Sequence, residues 1–196
     1  ASPDNVVMGL NNDTLIIGED TDAHQNDVLW AYDLKSNKLT RIFSTPYGSE
    51  TTSPWVYKNI SDKVDYMITV VQHPYGESDE DKATSDADKR AYIGYTKLPK
   101  IKAKDKVVFD MLPVAQTDAE KRVAKISPRV RVNGQAHALS YKTLYRSGDK
   151  VGETIFGQHI DVSGRPMTGY SKADLPMGIS TSPDHTTLLK KDGAIF

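Results

Sequence analysis

Apolar and polar positions alternate in short runs through the first half of the chain, the spacing of strands rather than helices. "TLIIGED", from Thr14, is dense in β-branched residues. "VLWAYDLKSNKLTRIFS" divides into two runs about a polar turn at residues 35–38. In the first run Leu29, Ala31 and Asp33 alternate with Trp30, Tyr32 and Leu34. In the second, Leu39, Arg41 and Phe43 alternate with Thr40, Ile42 and Ser44. "VDYMITVVQH" predicts a third strand, buried on both faces at its centre, and "RAYIGYT" a short fourth. "STPYGSETTSP" and "HPYGESDEDKATSDADKR" carry turn chemistry and predict loops, the second acidic and solvated.

The second half is more broken. "TDAEKRVAKI" carries the clearest helix signal: Thr117 can cap, Glu120 stands in capping-box register, and Pro128 lies just beyond. "RVRVNGQAHALSY" predicts a hairpin about Asn133-Gly134. "IFGQHIDVSGRPMTG" predicts a strand and a turn at Ser163-Gly164. Short antiparallel strands joined by Gly/Pro-rich turns predict a mainly β fold, as a sandwich, a barrel or propeller blades, with one short helix near residues 117–126.

Composition narrows the chemistry. The chain has 196 residues, enough for one domain with a substantial core. Its formal net charge is -1, so no global basic field draws it to nucleic acid or membrane. The lysine-rich "KLPKIKAKDK", residues 97–106, has no interleaved aromatics and is expected to be a linker or an edge, not a nucleic-acid arm. There is no cysteine, which removes disulfides, thiolate metal sites and thiol nucleophiles. No run approaches the ~18 apolar residues of a membrane span. The chain opens on "ASPDNV" and closes on Phe196 within a strand-like pattern, so a trimmed or processed product is expected.

The concentrated chemistry lies in "GEDTDAHQND", residues 18–27, between two apolar runs. In an extended segment Asp20, Asp22, His24 and Asn26 share one face, while Glu19 and Asp27 take the other. Carboxylates this close repel by about 1 kcal/mol per pair even in water. A hard cation such as calcium relieves that repulsion. The spacing is not that of an EF-hand: Gln25 stands where the glycine is required and Ala31 where the bidentate acid is. A solvated acidic turn is the alternative. "YRSGD", residues 145–149, is either an anion cradle or an ordinary turn. "GSETTSP" places Glu50 among hydroxyls.

Several of these strings together resemble one family. "LIIGEDTDAHQNDVLWAYDLKSNKLTRIFSTPYGSETTSPWVY" and "VVQHPYGES" are similar to the C-terminal portion of PhoX-type bacterial alkaline phosphatases, covering residues 1–96. "SYKTLYRSGDKVGETIFGQHIDVSGRP" and "SPDHTTLLKKDGAIF" resemble the N-terminal portion, covering residues 107–196. The order is reversed, with the lysine-rich 97–106 as the join, which implies a circular permutation packed as one domain. The resemblance implies antiparallel β-propeller-like blades, partial or permuted. It implies hydrolysis of phosphate monoesters in the periplasm or outside the cell, by calcium and iron ions held by carboxylates and a cysteine. On this resemblance Glu19, Asp20, His24 and Glu50 are the expected metal ligands, with Glu19 foremost. The family's long middle, with its cysteine, is missing. Calcium is therefore the expected ion, and iron only if the missing region is supplied. The expected partners are a phosphate ester and another copy or the missing part of the protein, with no nucleic acid and no membrane span. The rival expectation is a non-catalytic propeller fragment or calcium-binding interaction module.

Overall fold

A strand forms where an alternating run can pair with its predecessor across a tight turn, and the early chain does this repeatedly. The computed structural model describes residues 2–76, 78–167, 178–188, 190–191 and 194–195. Strands β1 (Pro3–Val7), β2 (Thr14–Glu19), β3 (Val28–Asp33) and β4 (Lys38–Ser44) run antiparallel, each beside the one before. Next come β5 (Glu50–Tyr57), β6 (Val64–Gln72) and β7 (Tyr92–Pro99), a second meander. Then follow β8 (Val107–Phe109), the one-turn helix α1 (Asp118–Lys121), β9 (Lys125–Ile126), β10 (Arg129–Val132), β11 (Gln135–Ala138) and β12 (Tyr141–Arg146). Short hairpins β13 (Lys150–Val151) with β14 (Thr154–Ile155), and β15 (Lys190–Lys191) with β16 (Ala194–Ile195), complete the described strands.

The fold is mainly antiparallel β. One sheet has the order β1-β2-β3-β4-β9, a second β12-β7-β6-β5, and a third β11-β10-β8. Residues from all three meet in one core that includes Ile16, Leu29, Phe43, Met67, Tyr92, Phe109 and Val130. Strand β6 is buried on both faces at its centre, as its largely apolar run predicts.

Register decides details that alternation cannot. Leu29 pairs with Phe43 but Trp30 pairs with Arg41, so Ile42 is an extra residue in a β-bulge. Ile42 and Phe43 consequently both reach the core, while Leu39 stays exposed. The predicted loop at "ETTSP" is instead the start of β5. Pro54 is tolerated there because β5 is an edge strand with a register shift between Thr52 and Trp55, and Ser53 takes a φ of 51°.

The lysine-rich stretch also packs. Residues 97–99 finish β7, which lies between β6 and β12, and Leu98 and Ile101 are buried. Lys100 Nζ lies 2.7 Å from Asp65 Oδ1, and the backbone N–H of Ile101 donates to Asp65 Oδ2 at 3.1 Å. Gly94 in β7 lies beneath the ring of Tyr141, so close that a Cβ there would sit 2.4 Å from it. The Tyr141 hydroxyl donates to Thr69 O on β6.

The capping box forms as predicted: Glu120 N–H donates to Thr117 Oγ1, and the Glu120 carboxylate accepts from Thr117 N–H. The helix is confined to one turn, and residues 125–126 pair with β4 instead. The hairpin turn at Asn133-Gly134 has φ 51° and 87°, the left-handed values of a type I′ turn. Around Ser163-Gly164 the turn is present, but its flanks make isolated bridges rather than a strand. Met167 ends the described part of that segment, and the terminal Phe196 also lies outside the described residues. No helix among the described residues is long and apolar enough to cross a membrane.

Candidate metal centre

The acidic segment is the connection from β2 to β3. A hairpin connection must reverse, so residues 20–27 bend instead of extending, and strict alternation fails there. Asp27 Oδ2 accepts the backbone N–H of Thr21 at 3.0 Å and closes the bend. Glu19 sits at the end of β2, Asp27 just before β3, and His24 at the outer part of the loop. One ligand atom from each lies within 4.8 Å of the others.

His24 bridges the two acids: Nε2 is 3.2 Å from Glu19 Oε2, and Nδ1 is 3.5 Å from Asp27 Oδ1. Both carboxylate side chains are 1% exposed, whereas the imidazole is 43% exposed. Among the described residues neither oxygen of Glu19 accepts a hydrogen bond. A carboxylate taken out of water without hydrogen bonds costs several kcal/mol unless a cation compensates it. The backbone of Glu19 is nevertheless well fixed, because its N–H donates to Thr51 Oγ1 on β5 at 3.0 Å.

The other expected ligands lie elsewhere. Asp20 is half-buried and lines a shallow recess with Ser2, Thr21 and Asp22. Glu50 opens β5, one residue before Thr51, and its Oε2 lies 3.2 Å from His73 Nε2. Asp27, which alternation sends to the opposite face from His24, is the third member of the cluster. Its signal was the need for the loop to reverse within so few residues.

His24 also lines a cavity of about 430 Å³ with Trp30, Arg41 and Lys121. Arg41 stacks over Trp30 at 5.3 Å and donates to Leu112 O, while Lys121 Nζ donates to Gln25 Oε1 at 2.7 Å. Both cations are thus held by neutral acceptors beside the acid-histidine cluster, an arrangement suited to an oxyanion. The "YRSGD" turn is already filled from within: Asp149 Oδ2 accepts Arg146 N–H at 2.8 Å, and Arg90 pairs with the same carboxylate. No protein-family model, curated protein or solved structure matches this chain.

Proposed function

We propose that this chain holds a divalent cation at Glu19, His24 and Asp27, and that the cation site is part of a metal-dependent phosphomonoesterase built on propeller-like blades. The observation that carries the reading is Glu19: a buried carboxylate, backbone-anchored, with neither oxygen hydrogen-bonded and two further ligand groups beside it. Such a donor set fits a cation. A bound cation there supplies charge neutralisation and orientation for the oxygens of a phosphate ester.

The chain's own groups supply the rest. Arg41 and Lys121 attract the ester's oxyanion into the cavity beside His24, and Trp30 offers an apolar wall for its organic part. The half-exposed imidazole is the side of the cluster that solvent reaches. The donor set also bears on the ion. Carboxylates alone suit calcium or manganese, but an imidazole nitrogen shifts preference toward zinc or iron(II). A cysteine-containing iron site does not fit this chain, which has no cysteine. The reversed-order resemblance to phosphatases supports the phosphomonoesterase reading.

The second reading, a cation-stabilised interaction module, rests on the same three side chains and dispenses with catalysis. Two measurements separate them: metal content by mass spectrometry after chelation and reloading with calcium, manganese or zinc, and hydrolysis of p-nitrophenyl phosphate. One equivalent of metal with turnover, both lost in Glu19→Gln, is expected of the phosphatase. Uptake without turnover leaves the module. No uptake by the wild-type chain removes the metal centre altogether.

A further inference from the structure

A second cavity, of about 500 Å³, borders the β4–β5 connection and shares no lining residue with the metal cluster. Pro46 in that connection lines the cavity, while Gly48 two residues on donates its N–H to Gln25 O in the cluster's loop. Three arginines line it: Arg90 ahead of β7, Arg122 after α1 and Arg146 at the end of β12. Tyr92 and Tyr141 form an aromatic wall, with ring centroids 6.3 Å apart.

The arginines are not equivalent. Arg90 pairs with Asp149, and Arg122 pairs with Asp118 at 2.7 Å while also donating to Lys82 O. Arg146 lies over the Tyr92 ring at 4.1 Å, and among the described residues no carboxylate lies within ion-pair distance of its guanidinium. A stacked guanidinium is held flat and in place, with its edge donors still available. The acid on the cavity wall, Asp88, is already committed: its Oδ2 accepts from Thr84 N–H, Thr84 Oγ1 and Ser85 N–H. Asp88 stays ionised and Asp149 lies close enough to feel the Arg146 charge, but neither pairs directly with that guanidinium, so its donors are left without a carboxylate partner among the described residues. Burial holds the Tyr92 and Tyr141 phenols well above their ordinary pKa, so both stay neutral and add no negative charge.

We infer that this cavity binds a small organic oxyanion, with its charged group against Arg146 and Arg122 and its apolar part against the Tyr92 and Tyr141 rings. The volume exceeds that of a bare inorganic anion and falls within the ~300–1,000 Å³ of ordinary small-molecule sites. The site is separate from the cation cluster and requires no metal. Phosphate and carboxylate groups share the chemistry that Arg146 recognises.

The test uses the chelator-treated chain and calorimetric titration with phenylphosphonate, benzoate and neutral benzyl alcohol. Saturable binding of phenylphosphonate or benzoate but not of benzyl alcohol is expected, and whichever binds more tightly identifies the headgroup class. Arg146→Gln is expected to weaken it at least about tenfold, while metal uptake at Glu19 stays unchanged. Arg131→Gln, at the distant Asp110 cluster, is expected to leave it unaltered. No saturable heat with either anion at millimolar concentration, equal binding of the alcohol, or undiminished binding in Arg146→Gln each overturns the assignment. Because the anion titrations are run without metal, failure here leaves the cation site standing, and failure of the cation site leaves this one.

Discussion

Glu19 and Glu120 are both carboxylates at element ends, and their surroundings treat them in opposite ways. Glu120 accepts backbone N–H bonds from Gln116 and Thr117 and a bond from Lys125, which together lower its pKa to about 2 from an ordinary value of 4.5. Its folded pKa is depressed, so its contribution is complete above pH 4.5 and fades as pH falls toward 2. Glu120→Gln is expected to flatten the wild-type loss of stability across that window, read as urea midpoints from pH 5 to 2. Parallel curves for the two proteins would contradict it. Among the described residues Glu19 lacks such hydrogen bonds and has only the His24 imidazole beside it, so its charge is a liability until a cation arrives. In metal-stripped protein Glu19→Gln is expected to melt at or above wild type. With cation at a hundredfold over its dissociation constant, wild type gains about 2.7 kcal/mol and the order reverses. An unchanged order with and without metal would refute the role. At this scale the sequence showed which side chains carry charge, but not which of them meet. Grouping by alternation paired Asp20 with His24, whereas the reversing loop pairs Glu19 and Asp27 with His24.

The strands of the two meanders were legible because their apolar runs match a period of two and are punctuated by turn residues. Elements stabilised by distant partners were not. Strand β9 is two residues long and exists because β4 offers an edge, and β5 contains a proline that only an edge strand with a bulge accepts. The lysine-rich stretch was misleading for a related reason: its lysines are conspicuous, but Leu98 and Ile101 between them are what the core takes up. Lys100 itself neutralises Asp65, whose side chain is 1% exposed. Lys100→Ala is therefore expected to cost roughly 2–3 kcal/mol, below a fully buried pair because Lys100 is 35% exposed. Asp65→Asn, which keeps an acceptor for Ile101 N–H, is expected to cost less, and equal urea midpoints for the two variants would refute this ordering. Gly94→Ala drives a methyl into the Tyr141 ring and the backbone at Lys142 O and is expected to cost about 1–3 kcal/mol, measurable in the same assay.

Across the whole molecule one core joins the sheets, so they are expected to unfold together. Trp30 lies in the first sheet and Trp55 in the second. Fluorescence of Trp30→Phe and Trp55→Phe variants reports each sheet separately, and coincident denaturation midpoints, matched to circular dichroism, are expected. Separated midpoints would show two cooperative units. The order of pairing has a further consequence. Strand β7 takes β6 as its neighbour at once, but its other neighbour, β12, is encoded only after the chain has passed through α1 and strands β8 to β11. During synthesis on the ribosome, the free flank of β7, with its unpaired amides, therefore emerges well before its cover does. That interval is where a chaperone, or a neighbouring nascent chain on the same messenger, would find this polypeptide most adhesive.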